Sequence, residues 1–354
     1  MNNIDDIKTI EKFDKSNMRK LLHGFPHQGE KMLESMGHIK LPPVYKEVKN
    51  IIVSGLGGSS VGGDLLKNFL RDKINLPLIV NRSYTLPHWV GKDTLLICVS
   101  YSGNTEETLN TYKIAKEAKS KIIVISSGGE LTGLAKGDGF PYIPVPEVGI
   151  PPRTALGYLF FPQLFIIKML GFADIEDSEL SEAIQTLKNL REEIDISSPK
   201  NKNISKKLAE EIYQTIPLVY TTSDYLEGAG IRWKTQINEN SKSPVYCEFF
   251  PELNHNEIMG WEGGEELVGK FSLILLRDKG ESERMLKRIG ITLSLIKDNV
   301  SKMLEVHSRG NKLLSRILSL IYIGDYVSFY LAVLNGVDPT EIKSISSLKK
   351  SLSK

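Results

Sequence analysis

The sequence predicts an α/β protein with two parallel β-sheets, each doubly wound, with helices on both faces. Short, fully apolar runs such as Leu95–Val99 have the composition of strands that are buried on both faces of a parallel sheet. Each run leads through a loop into an amphipathic segment of helical length. This alternation occurs both before and after a polar segment at 171–203, so the 354 residues are expected to form two domains.

The first predicted domain, 1–170, begins with amphipathic helical residues at 1–44 and ends with the apolar helix Tyr158–Leu170. Prolines in its last strand favour an edge position, because proline cannot donate a ladder hydrogen bond. Its predicted strands are Ile51–Ser54, Leu78–Val80, Leu95–Ser100, Lys121–Ser126 and Tyr142–Pro146.

A polar helical linker at 171–203 is expected to join this domain to a second one, 204–354. Helices are predicted at Tyr225–Ser241, Lys312–Leu334 and, in the C-terminal tail, Thr340–Leu352. The strands predicted in this second domain are Pro217–Tyr220, Val245–Phe249, Phe271–Leu276 and Met303–Val306.

Composition argues against several classes of partner. The net charge is only +2, from 45 basic and 43 acidic residues, so neither nucleic acid nor an acidic membrane surface is an expected partner. Cys98 and Cys247 lie in strand-like runs and are predicted to be buried free thiols, which suits a reducing compartment. The N-terminal residues lack a signal-peptide pattern, and Gly324 and Asp325 interrupt the longest apolar segment, Ile317–Leu334. A cytoplasmic protein without a membrane span is therefore predicted.

A glycine-rich turn, Gly55–Gly63, follows the first strand but matches neither common nucleotide motif. The dinucleotide pattern needs a glycine where Ser60 stands, and the next strand is followed by Asn81 and Arg82 rather than an acid. A P-loop would need lysine and a hydroxyl residue where Gly63 and Asp64 stand. The turn is therefore interpreted as a strand-to-helix loop at the carboxyl edge of the sheet.

The loop after Leu95–Ser100 is the better candidate for an anion site. Ser100, Ser102 and Thr105 each offer a hydroxyl group, Gly103 permits close approach of the backbone, and a helix follows. An ordinary helix N-cap is the alternative, since serine and threonine are preferred there. Three hydroxyls exceed what one cap requires, so a sugar phosphate is the predicted ligand.

Three further residues could take part in chemistry, and each has a simpler alternative. Glu239 lies near the end of a predicted helix, where the dipole makes a carboxylate a better proton acceptor, but it could be a solvated helix residue. Arg153 follows Pro151 and Pro152 at a helix start, which indicates an anionic partner or simple solvation. His255 occupies a polar loop typical of surface histidines, and Asn254 before it is expected to cap the short helix that follows. No metal-ligand spacing surrounds it, so no metal is expected.

Taken in order along the chain, the motifs are Gly57-Gly58-Ser59, Ser100-Tyr-Ser102-Gly-Asn-Thr105, Pro151-Pro152-Arg153, Asn238-Glu239 and Glu252-Leu-Asn-His255-Asn-Glu. Together they resemble the bifunctional phosphoglucose/phosphomannose isomerases of archaea and bacteria. That family belongs to the phosphoglucose isomerase superfamily and has two sugar-isomerase (SIS) domains. The resemblance begins near Val44 and covers nearly the whole remaining chain.

The resemblance implies a role for each motif residue. Glu239 would be the base, His255 would open the sugar ring, and Arg153 would lie beside the enediolate. The family's C-terminal lysine corresponds best to Lys349, with Lys350 and Lys343 as alternatives. The residues that would hold the phosphate are Gly57, Gly58, Ser59, Ser100, Ser102 and Thr105.

The implied activity is reversible isomerisation of glucose 6-phosphate and mannose 6-phosphate to fructose 6-phosphate through a cis-enediol, with no cofactor. The resemblance also implies a homodimer in which His255 reaches the partner's site. One rival is a SIS-domain regulator that binds sugar phosphates. It would need the phosphate loops but not Glu239 or His255. The second is half of a glucosamine 6-phosphate synthase, which would need a glutaminase with a nucleophilic cysteine that this chain lacks.

Overall fold

The first sheet contains five parallel strands. A computed structural model describes residues 2–352, and in it the strands follow the order β2-β1-β3-β4-β5. The central strand is buried along its whole length, as its unbroken apolar run predicts. The strands are β1 (Asn50–Ser54), β2 (Leu78–Asn81), β3 (Thr94–Ser100), β4 (Lys121–Ser126) and β5 (Tyr142–Pro144).

Helices precede this sheet and connect its strands. Helix α7 is apolar nearly all round and packs against α3 and α4. The helices of this part of the chain are α1 (Ile7–Phe13), α2 (Met18–His23), α3 (Phe25–Met36), α4 (Gly58–Leu70), α5 (Glu106–Glu117), α6 (Gly129–Asp138) and α7 (Leu156–Leu170).

The second sheet contains four parallel strands in the order β7-β6-β8-β9. Its strands are β6 (Ile216–Thr222), β7 (Tyr246–Phe250), β8 (Phe271–Arg277) and β9 (Lys302–His307). Its helices, with the two that precede it, are α8 (Asp177–Ile194), α9 (Ile204–Glu211), α10 (Glu227–Gln236), α11 (Glu265–Val268), α12 (Glu283–Ile296), α13 (Leu313–Leu334) and α14 (Lys343–Leu352).

Helix α13 is the main helix of the core around which the two sheets are assembled. By length and composition it could cross a membrane, but its apolar window is entirely buried within the protein. It packs against α8, α9 and α10, and its residues join one hydrophobic cluster with α3, α4 and α7. Burial on all sides explains why this helix lacks a polar face.

The predicted α/β class with two parallel, helix-flanked sheets is confirmed. Cys98 and Cys247 are buried free thiols, as predicted. The helix predicted over Tyr225–Ser241 is instead α10 followed by a π-helical turn, Ile237–Ser241, which ends at Lys242 in the left-handed conformation. The tail helix begins at Lys343, and α14 has no buried residue among those described.

Candidate functional site

Two of the predicted loops lie side by side at the carboxyl edge of the first sheet. Strands β1 and β3 are neighbours, and the chain continues from them to opposite sides of the sheet. Ligands bind at such a switch point in open parallel sheets. The two loops also touch, because the backbone N–H of Tyr101 donates to the hydroxyl oxygen of Ser59 at 3.4 Å.

The hydroxyl loop is held in shape by its own side chains. The hydroxyls of Ser100 and Thr105 are 2.9 Å apart, and the N–H of Gly103 donates to the Ser100 hydroxyl oxygen at 3.1 Å. Ser102 is exposed, and within the described chain its hydroxyl accepts only a local backbone N–H, from Asn104. Thr105 is the N-cap residue of α5, yet its side chain makes no capping hydrogen bond. Capping alone therefore does not account for this hydroxyl.

Arg153 is a buried cation with every arm of its guanidinium engaged. Its side chain is 3% exposed, which excludes the solvated alternative. Nη1 lies 3.3 Å from Oε2 of Glu239, and Nε donates to Oδ1 of Asn240 at 2.7 Å. Nη2 donates to the carbonyl oxygens of Pro339 and Thr340 at 2.8 and 3.1 Å. Burial lowers the pKa of Arg153, but arginine stays protonated in proteins.

The glycine-rich turn lies directly against the backbone of Arg153. A Cβ atom placed on Gly58 would lie 2.8 Å from the backbone nitrogen and 2.9 Å from the Cα of Arg153. Only glycine permits that approach. Contacts therefore run from Glu239 through Arg153 and Gly58 to the hydroxyl loop.

Glu239 lies in the π-helical turn with its side chain 25% exposed. It lines a cavity of about 920 Å³ that the C-terminal residues around Asp338 and Ile342 help to form. Lys242 lines the same cavity, and burial together with the nearby charge of Arg153 lowers its pKa to about 8. The carboxylate thus faces both a fixed guanidinium and a space large enough for a sugar.

Within the described part of one chain, His255 and Lys349 make no contact with Arg153 or Glu239. Within residues 2–352, His255 is exposed at the end of a short 3-10 helix after β7, and its side chain makes no hydrogen bond or ion pair. Lys349 lies on the exposed helix α14, together with Lys343 and Lys350, so the choice among the three lysines stays open.

One expectation about the histidine loop is wrong. Asn254 was expected to cap the short helix that follows it, but that cap is Asn256, whose Oδ1 accepts the N–H of Glu257. Asn254 instead donates to the hydroxyl of Thr292 on α12 at 2.7 Å. Its side chain therefore anchors the histidine loop to α12.

The described residues contain no group of three side chains arranged to hold a metal ion.

Sequence reasoning missed three buried residues that surround Arg153. Asn240 contacts Nε of Arg153, and Arg232 donates to its backbone carbonyl oxygen at 2.6 Å. Asp325 on α13 pairs with Arg232 through two contacts of 2.9 Å. The available signal was the charge of Asp325 within the apolar stretch of α13, since buried charges need partners.

Comparison with known proteins decides the family. The chain is 43% identical over 331 residues to a bifunctional phosphoglucose/phosphomannose isomerase of Caldicellulosiruptor bescii, covering 94% of this chain and 97% of that protein. The chain belongs to the bifunctional phosphoglucose/phosphomannose isomerase family. Another family protein, from Aquifex aeolicus, is 38% identical over 86% of this chain and 91% of its own length. The predicted family is therefore confirmed.

Other comparisons agree with this isomerase family on the fold. Residues 201–352 match the family described as bacterial phospho-glucose isomerase C-terminal SIS domain. A glucose-6-phosphate isomerase-like protein from Thermus thermophilus has the same fold, with a TM-score of 0.63 and 19% identity. That comparison covers 97% of this chain and 99% of the Thermus chain. The predicted SIS architecture is confirmed.

Proposed function

We propose that this protein interconverts glucose 6-phosphate and mannose 6-phosphate with fructose 6-phosphate. The observation that carries the proposal is the buried guanidinium of Arg153 lying 3.3 Å from the carboxylate of Glu239, with the backbone of Arg153 against Gly58 of the glycine-rich turn. Isomerisation needs a base that moves a proton between neighbouring carbons and a cation where negative charge develops. A regulator that only binds sugar phosphate would need neither group.

The phosphate is held by the adjoining loops after β1 and β3. Helices α4 and α5 begin there, so their free N–H groups and positive dipole ends face the anion. The hydroxyl groups supply further donors around the phosphate oxygens. The backbone N–H and hydroxyl donors together come from Gly57, Gly58, Ser59, Ser100, Ser102 and Thr105.

With the phosphate held, Glu239 takes the proton from C2 of the open-chain aldose and returns it to C1. The intermediate cis-enediolate carries negative charge, and Arg153 stabilises that charge from a fixed, largely dry position. A base that reaches both carbons can serve both C2 configurations. The protein supplies the proton transfers with its own side chains, and we propose no cofactor and no metal.

Ring opening is assigned to His255, with help from Lys349, and both are exposed in the single chain. We therefore propose a homodimer in which these groups complete the partner's site. The histidine loop is tied to α12, which exposes Ile291 and Leu295 to 51% and 65%. An exposed apolar face beside the histidine suits a subunit contact. The balanced charge is consistent with a cytoplasmic protein that binds neither nucleic acid nor membranes.

Steady-state assays of fructose 6-phosphate formation test the activity. The purified protein is expected to convert both aldose 6-phosphates without added metal and in the presence of a chelator. Glucosamine 6-phosphate formation from fructose 6-phosphate and glutamine is the matched negative assay. Binding of the sugar phosphates without turnover would contradict the proposal and favour a regulator.

The double substitution Ser102→Ala with Thr105→Ala is expected to raise KM for both aldose phosphates by about tenfold or more, because two phosphate donors are lost. The effect on kcat is expected to be smaller. The control is Ser83→Ala with Thr85→Ala, an exposed hydroxyl pair on the loop after β2. An unchanged KM in the first double variant would refute the phosphate site.

Mixing two inactive variants tests the shared site. Glu239→Gln and His255→Ala are each expected to be nearly inactive as homodimers. After subunit exchange, half of the dimers are mixed and each has one intact site, so activity should return to about one quarter of wild type. If a mixture shown to exchange subunits stays inactive, His255 and Glu239 of one chain belong to the same site, and the shared-site proposal is wrong.

A further inference from the structure

A closed ring of buried hydrogen bonds surrounds the backbone and side chain of Arg153. Nε of Arg153 donates to Oδ1 of Asn240 at 2.7 Å, and Nδ2 of Asn240 donates to the hydroxyl of Ser328 at 2.9 Å. That hydroxyl donates to the carbonyl oxygen of Asp325 at 2.7 Å. The Asp325 carboxylate pairs with Arg232, which donates back to the carbonyl oxygen of Arg153. All five residues are buried.

The direction of each bond in this ring is determined by chemistry. A serine hydroxyl has one hydrogen to donate, and Ser328 uses it on the Asp325 carbonyl oxygen. Its oxygen can then only accept, so the Asn240 amide turns its NH2 group toward Ser328. The amide oxygen consequently points at Nε of Arg153.

Fixing Nε fixes the plane of the whole guanidinium, because the group is planar. The Asn240 contact, together with the Nη2 bonds to the carbonyl oxygens of Pro339 and Thr340, therefore sets where Nη1 lies relative to Glu239, the residue before Asn240. Among these contacts, the Asn240 amide is the one that links the cation to the chain segment of the proposed base.

We propose that Asn240 and Ser328 are positioning residues, which hold Arg153 in line with Glu239 without touching the substrate. The ring also connects Arg153 and Glu239 to α13, a helix buried along nearly its whole length. The positions of both groups are therefore held by the rigid core. In its kinetic part this inference rests on the proposed isomerase function. Preorganised charge of this kind lowers the barrier because no reorientation is needed during the reaction.

The test is Ser328→Ala against Ser319→Ala. Both serines are fully buried on α13 and donate to the carbonyl three residues earlier, at 2.7 and 2.8 Å. Each also accepts one further hydrogen bond, from Asn240 and from the N–H of Arg309 respectively. The two variants therefore remove equivalent bonds and should lower Tm by similar amounts, a few degrees.

Only Ser328→Ala is expected to affect the chemistry. Its kcat should fall by about 10- to 100-fold with KM within about threefold, since a small misplacement of a reacting group is costly and the phosphate loops are untouched. Ser319→Ala should keep kcat within about twofold. Ser328→Cys, whose slightly larger thiol forms only weak hydrogen bonds, replaces the alanine variant if that variant does not fold. Equal kcat losses at 319 and 328, or no loss at 328, would overturn the inference.

A second readout does not depend on isomerase activity. The Nε–H proton of Arg153, followed by NMR, should exchange slowly with water in the wild type and in Ser319→Ala. In Ser328→Ala it should exchange at least about tenfold faster, because its acceptor is free to turn. If the wild type proves inactive, the proposed function fails and this exchange alone decides the inference. Unchanged exchange in Ser328→Ala overturns it.

Discussion

Replacing Glu239 with glutamine should abolish most of the isomerisation of both aldoses. General base catalysis contributes about 10²- to 10⁴-fold, so kcat is expected to fall by that factor. The amide keeps the shape of the side chain and can still accept a hydrogen bond from Arg153, 3.3 Å from the carboxylate. KM should therefore change little. Exchange of the C2 hydrogen with solvent, followed by NMR, should slow in parallel with turnover.

Glu211→Gln is the matched control for this substitution. Glu211 ends α9, is exposed, and pairs with Lys302 on β9 at 2.7 Å, outside the Arg153 network and the cavity. Its kcat should stay within about twofold of wild type, as for a surface substitution away from the chemistry. Near-normal C2 exchange in Glu239→Gln would remove Glu239 from the role of base.

The second large effect is expected from Gly58→Ala. The added methyl group would lie within 2.9 Å of backbone atoms of Pro152 and Arg153, which cannot rotate away as a flexible side chain can. Overpacking of this kind costs about 1–3 kcal/mol of unfolding free energy. The forced shift moves Arg153 away from Glu239, and a displacement near 1 Å can cost about 10²-fold in kcat. Denaturant unfolding and steady-state kinetics measure the two effects.

Gly133→Ala controls for the change of glycine to alanine itself. Gly133 lies inside α6, and a Cβ atom there would meet nothing within 4 Å. Alanine favours a helix interior over glycine, so this variant should be more stable by about 0.5–1 kcal/mol and fully active. Wild-type kcat in a folded Gly58→Ala variant would show that the turn does not set the position of Arg153.

Local patterns were sufficient to predict the strands of both sheets. Leu95–Val99 is buried along its length, as an unbroken apolar run predicts, and Pro144 lies in an edge strand, as its missing N–H requires. The adjacency of the loops after β1 and β3 also follows from parallel topology. These features depend on residues close together in sequence.

The contacts among distant residues could not be predicted in this way. Arg153 meets Asn240 and Pro339, which lie far along the chain, and no periodicity encodes such a meeting. The π-helical turn that presents Glu239 follows α10 with no proline or glycine at the junction, so the sequence predicts one continuous helix. The cap at Asn256 rather than Asn254 was decided by the tertiary bond of Asn254 to α12.

A crystal structure with a five-carbon sugar-acid phosphate, which mimics the enediolate, tests the central claim most directly. We expect its phosphate at hydrogen-bond distance, about 2.7–3.2 Å, from the hydroxyls of Ser102 and Thr105 and from the N–H groups where α4 begins. Its carboxylate should contact Arg153, with Glu239 beside the carbon that corresponds to C2. A phosphate bound instead among the lysines of the 920 Å³ cavity, away from both loops, would contradict the account.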